Sequence, residues 1–116
     1  MDRLAELRSS ATPNDLKRLR VRVVTHQQVI EERALTDSNV DVEMGRRVVD
    51  GLLALIDAAE SFDRDQRSWV RAAIDYFILT DDSVHDLGST LGLHDDANAV
   101  NVVCDAVGRP DLRIVY

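Results

Sequence analysis

Residues 44–59 read Met44-Gly45-Arg46-Arg47-Val48-Val49-Asp50-Gly51-Leu52-Leu53-Ala54-Leu55-Ile56-Asp57-Ala58-Ala59. Val48, Val49, Leu52, Leu53, Leu55, Ile56, Ala58 and Ala59 recur at helical spacing and cover more than one stripe, and Met44 extends the face upstream. A helix apolar on more than one stripe is contacted from two sides. The pattern therefore predicts a central helix over about 39–60. Gly45 and Gly51 lower its helix propensity, which points to close contact with neighbouring helices.

Upstream, residues 2–10 predict a short helix with Leu4 and Leu7 on one side. Thr12-Pro13-Asn14-Asp15 follows: Thr12 suits an N-cap, Pro13 the first helical position and Asp15 the first turn. Leu16, Leu19, Val23 and Ile30 then recur at helical spacing, widened by Val24 and Val29. The stretch Leu19 to Val23 also alternates apolar and basic, as a strand would, but Glu31, Glu32 and the flanks favour one helix to about Leu35. Thr36-Asp37-Ser38-Asn39 is a turn cluster offering the next N-cap.

Downstream, Ser61-Phe62-Asp63 is a break with Ser61 or Asp63 as cap. The helix after it, to about Leu79, places Trp69, Ala72, Ala73, Tyr76 and Phe77 on one face, with Trp69 as a core anchor. A last helix, about 94–107, faces inward through Ala97, Val100, Cys104 and Val107 and is ended by Gly108 and Pro110. The tail 112–116 alternates and is apolar enough to pack down or to join a partner's edge. The expected fold is all-α: one domain, 1–116, a bundle of four to five helices, with 1–12 and 109–116 peripheral.

Composition narrows the function classes. The chain has 116 residues, 45% apolar and 30% charged, which is a globular balance for a single core. Its one cysteine, Cys104, forms no internal disulfide and sits among Val102, Val103 and Val107, as a buried structural thiol would. The start Met1-Asp2-Arg3-Leu4-Ala5-Glu6 lacks the apolar core of a signal peptide, and no uncharged run approaches the ~18 residues of a membrane span. A cytoplasmic protein without stable membrane insertion is expected.

Net charge is −7 and uneven: residues 1–33 hold seven basic against five acidic side chains, and the remainder seven against sixteen. That balance disfavours nucleic acid, whose phosphates need clustered positive charge. It is compatible with a partner protein of basic character, or with solubility alone. Lys17-Arg18-Leu19-Arg20-Val21-Arg22 lacks interleaved aromatics and reads as a solvated helix face.

One polar segment stands out. After the apolar run ending at Thr80 come Asp81, Asp82, His85, Asp86, His94, Asp95 and Asp96, between two helices. Asp82 and Asp86 are four apart, as are Asp81 and His85, so each pair shares a face if that stretch is helical. Clustered carboxylates repel, and a divalent cation is one remedy: Ca²⁺ or Mg²⁺ on oxygen ligands, or a transition metal where the histidines join. The candidate metal ligands are Asp82, His85, Asp86, His94, Asp95 and Asp96. The spacing is not that of an EF-hand. A plainer alternative is that these residues cap two helix starts and favour their dipoles. No Gly-rich phosphate loop, Gly-x-Ser-x-Gly elbow or Cys-x-x-Cys occurs, and the chain lacks the further ligands of a His-Asp phosphohydrolase, so no catalytic residue or cofactor is assigned.

The same segment resembles the YkvA-like family of small bacterial helical domains of unknown function. Tyr76, Asp82, Asp86, Gly92, Asp95 and Asp96 stand at the family's motif positions, followed by Ala97. Thr80, His85 and Ser89 occupy its three proline positions, and Asp81, Ser83 and Gly88 replace apolar residues. The likeness covers about 62–105. It implies an all-helical domain with shared acidic positions and supplies no activity. The resulting expectation is a non-enzymatic protein-interaction or adaptor domain using the acidic 80–96 end, with a homodimer through a leftover apolar face as a second association. The alternative is a divalent-metal-binding protein, with hydrolysis as its chemistry.

Overall fold

The computed structural model describes residues 2–38, 40–80 and 90–115. Among them are five α-helices and no strand: α1 (Asp2–Glu6), α2 (Pro13–Ala34), α3 (Val42–Asp57), α4 (Arg64–Thr80) and α5 (Thr90–Ala106), with 3₁₀ turns at Ala59–Ser61 and Pro110–Leu112. This is the expected all-α bundle.

Three helix starts are set by side chains that take up backbone N–H groups left without intrahelical partners. At α2, the Asp15 N–H donates to the Thr12 hydroxyl (3.1 Å) and the Thr12 N–H donates to the Asp15 carboxylate (2.9 Å). At α4, Asp63 and Gln66 make the same reciprocal pair, both bonds 2.8 Å. At α3 the cap is Asp41, which accepts from the Met44 N–H at 3.0 Å, rather than a residue of the turn cluster at 36–39. Val40 explains the shift. Its side chain is buried in the core, so the chain must come inward before the helix can begin.

Helix α3 is central. It packs against α2, α4 and α5 and against the Pro110–Leu112 turn. Leu16, Leu19, Val23 and Ile30 of α2 meet Val48, Val49, Leu52, Leu55 and Ile56 of α3 in one core, joined by Val70, Ala73, Ile74 and Phe77 of α4. Leu93, Ala97, Val100, Cys104 and Val107 complete it. The two α3 glycines are places of close approach. A Cβ on Gly45 would lie 2.7 Å from the Gln27 amide oxygen, and one on Gly51 would lie 3.1 Å from Val100 and 3.3 Å from Ile114.

Two expectations are revised in the second half. Trp69 is half-buried at the rim, where the Arg8 guanidinium sits 4.3 Å from its ring centroid. The buried α4 positions are Val70, Ala72, Ala73, Ile74 and Phe77, so the expected Ala72, Ala73 and Phe77 face inward while the larger indole packs against the edge of the core. Helix α5 starts at Thr90 rather than near 94. Leu93 is buried and extends the inward stripe of Ala97, Val100 and Cys104 by one more turn, which draws the helix start upstream.

The outer segments are tied in. Leu4 and Ala11 are buried, and Arg8 bonds to Ser68 and pairs with Asp65. The Arg67 guanidinium holds the α1–α2 link through the Ala11 carbonyl at 2.8 Å. Gly108, at φ 74°, makes the left-handed turn that ends α5 and sends the chain back. The tail then packs down. Asn101, buried on α5, accepts from the Ile114 N–H at 2.6 Å and donates to the Ile114 carbonyl at 3.1 Å, and Arg47 donates to the Val115 carbonyl at 3.0 Å.

Two outcomes follow from these attachments. Asn101→Ala leaves the Ile114 backbone without its buried partner, which costs about 1–3 kcal/mol. The expected result is a lower Tm and a tail newly open to carboxypeptidase. The second concerns acid. Asp15 is held below its ordinary 3.8 by the Thr12 N–H and then the Thr12 hydroxyl, and Glu60 below 4.5 by the hydrogen bond and charge of Lys17. A carboxyl lowered on folding adds stability that is present above its unfolded pKa and lost as pH falls through the folded one. Stability therefore falls below about pH 4.5, and Asp15→Asn makes the low-pH urea midpoint less pH-dependent.

Candidate functional site

The candidate site lies around the end of α4 and the start of α5. Of its six residues, His94, Asp95 and Asp96 are within α5, while Asp82, His85 and Asp86 lie outside the described residues. Consecutive helical residues project about 100° apart. Accordingly Asp95 is exposed, His94 is half-buried and Asp96 is buried at 1% exposure. His94 and Asp96 are both already engaged by neighbouring groups. These three side chains do not share a face, and among the described residues no three His, Cys, Asp or Glu side chains come together as a metal-holding group.

The position of α5 also revises the capping alternative for this pair. With the helix starting at Thr90, Asp95 and Asp96 lie past its first turn, which holds no acidic residue. They cap nothing there. Asp96 instead contributes a buried carboxyl to the interior of the bundle, beside Ala97 on the same helix. Close by in the fold, His26 of α2 meets Phe77 of α4 edge-on, ring centroids 4.8 Å apart and planes at 82°. That contact packs the His26 ring against α4.

A signal passed over in reading the sequence frames the site. Residues 72–108 contain no Lys or Arg and hold Asp75, Asp81, Asp82, Asp86, Asp95, Asp96 and Asp105. Those seven carboxylates equal the whole net charge of −7. The two outermost are matched by cations flanking the stretch: Arg71 pairs with Asp75 at 3.3 Å, and Arg113 pairs with Asp105. Elsewhere cations are committed across helices, with Lys17 on Glu60 at 2.7 Å, Arg20 on Asp57 at 2.6 Å and Arg46 on Glu31 at 3.6 Å. The other five of those seven carboxylates fall at 81–96 in the sequence.

A shallow groove of about 360 Å³ runs between α3 and the docked tail, lined by Arg47, Asp50, Gly51 and Ala54 on one side and residues 111–115 on the other. Its charges are mixed and Arg47 is spent on the Val115 carbonyl. Asn101, which forms the clamp beneath that tail, was legible only as a polar residue between Val100 and Val102. Cys104 is fully buried, and burial pushes its thiol up to about 11. The thiolate is therefore scarce, and nucleophilic chemistry at this residue is disfavoured. Ellman's reagent should leave native protein unmodified at pH 8 and titrate one thiol per chain once denaturant is added. Rapid labelling of the native form would contradict this packing.

Comparison with protein-family models, with curated proteins and with solved structures finds no match to this chain.

Proposed function

We propose that this chain is a non-enzymatic interaction module of the cytoplasm that docks a basic segment of another protein on its acidic 81–96 end, in the manner of an adaptor. The observation that carries this reading is the cation-free stretch 72–108. Its end carboxylates are neutralised by Arg71 and Arg113, while Asp95 stands exposed on α5 next to the acidic run in the sequence. Like charges held close are costly, and a Lys- or Arg-rich partner relieves them while gaining on-rate through steering. The resemblance to YkvA-like domains fits the same reading, since Asp82, Asp86, Asp95 and Asp96 are among the motif positions this chain retains.

The test is capture from a cell lysate by the tagged protein, followed by cross-linking and mass spectrometry. Wild-type protein should enrich a basic protein at low salt and lose it as salt screens the contact over ~8 Å. Charge reversal at Asp82, Asp86 and Asp95 together should abolish the capture with Tm unchanged. Asp96 is excluded from the set because its buried carboxyl makes a Lys there a folding defect. Equal capture by the triple variant rejects the proposal.

A further inference from the structure

The outer face of α2 carries a pattern unrelated to the acidic end. On a helix of 3.6 residues per turn, Arg18, Val21, Thr25, Val29 and Glu32 fall within one arc of about 80°, opposite the buried Leu16, Leu19, Val23 and Ile30. The arc is open to solvent: Val21 is 70% exposed and Val29 38%, and Arg18, Thr25 and Glu32 are exposed too. Among the described residues, Lys17, Arg20 and Glu31 of α2 make ion pairs, and all three lie outside this arc. Asp15, one turn before Arg18, is the nearest acidic charge on the same helix to act on it.

The five positions are symmetric in spacing about Thr25 and opposite in charge. Val21 and Val29 stand four residues to either side, and Arg18 and Glu32 seven to either side. A pattern of this kind is complementary to itself when reversed. We propose that a second copy of this chain docks here, its α2 antiparallel to the first, on a two-fold axis passing at Thr25. Each Val21 then lies on Val29 of the second copy, each Arg18 meets Glu32 of the second copy, and both contacts occur twice, as an isologous interface requires. A parallel arrangement would stack Arg18 on Arg18 and Glu32 on Glu32, so charge selects the antiparallel one.

The helix is 22 residues, about 33 Å long, and can present this arc along most of its length. A single helix pair buries less than the ~800 Å² per partner of a standard interface, so the association is reversible and concentration-dependent.

Sedimentation velocity on the full chain over a wide concentration range, with charge-swap variants, tests the proposal. Wild-type protein should move from monomer to dimer as concentration rises. Arg18→Glu replaces both attractive pairs with Glu–Glu repulsions and should weaken association about tenfold. Adding Glu32→Arg to Arg18→Glu should restore it, because the reversed pairs are again complementary. On an otherwise wild-type background, Thr25→Cys should form a disulfide-linked dimer under mild oxidation, since only at the axis does a residue face its own copy. A monomer at every concentration overturns the proposal. So does a dimer indifferent to Arg18→Glu, which forms through another face, or a Thr25→Cys variant that does not cross-link.

Discussion

The fold depends on burying α3 from several sides. Val48, Leu52, Leu55 and Ile56 are all fully inaccessible, and no single neighbouring helix could cover that much apolar surface. Helices α2, α4 and α5 each have to supply an inward stripe, and the residues that do so are the aliphatic ones at helical spacing. Gly45 and Gly51 make this possible at short range. They let Gln27 of α2 and both Val100 and Ile114 approach the α3 backbone where a methyl group would intrude. The polar tail residues follow from the same constraint. Once Ile114 packs on Gly51, its peptide leaves water and Asn101 must satisfy it.

Electrostatics plays a second, separate role. The cross-helix pairs Lys17–Glu60, Arg20–Asp57 and Arg8–Asp65 join the basic N-terminal third to the acidic 57–65 region. Their partners are exposed, and such pairs contribute little stability, about 0–1 kcal/mol each. What they do is commit cations. Lys17, Arg20 and Arg8 of the N-terminal third are thereby committed to the end of α3, the turn after it and the start of α4.

How much of this could be read beforehand depended on whether the determinant was local. Thr12 with Asp15, and Asp63 with Gln66, define helix starts from within four residues; the first was legible, and the second was narrowed to Ser61 or Asp63 without the part played by Gln66. The α3 start was not, because it hinges on Val40 reaching a core assembled from distant segments. The same holds for α5, drawn back to Thr90 by the burial of Leu93, and for α4, whose rotation places Val70 and Ile74 innermost instead of Trp69. The candidate site was legible as composition and not as geometry. Asp95 and Asp96 look equivalent in sequence, yet one turn direction on α5 makes the first a surface charge and the second an interior carboxyl.

These two surfaces differ in kind, and that matters for what the module can do. The acidic stretch proposed as a docking end is unipolar in sequence, so such an end would repel a copy of itself and attract cations. The α2 face carries both signs at mirrored positions, so it prefers its own reverse to any uniformly charged partner. Association through α2 would duplicate the acidic end within one particle. Two weak electrostatic sites joined in this way act at a high effective concentration on a partner with repeated basic segments, and avidity then exceeds what either site achieves alone. A small bundle can gain useful affinity by that route, with each surface contributing a different specificity.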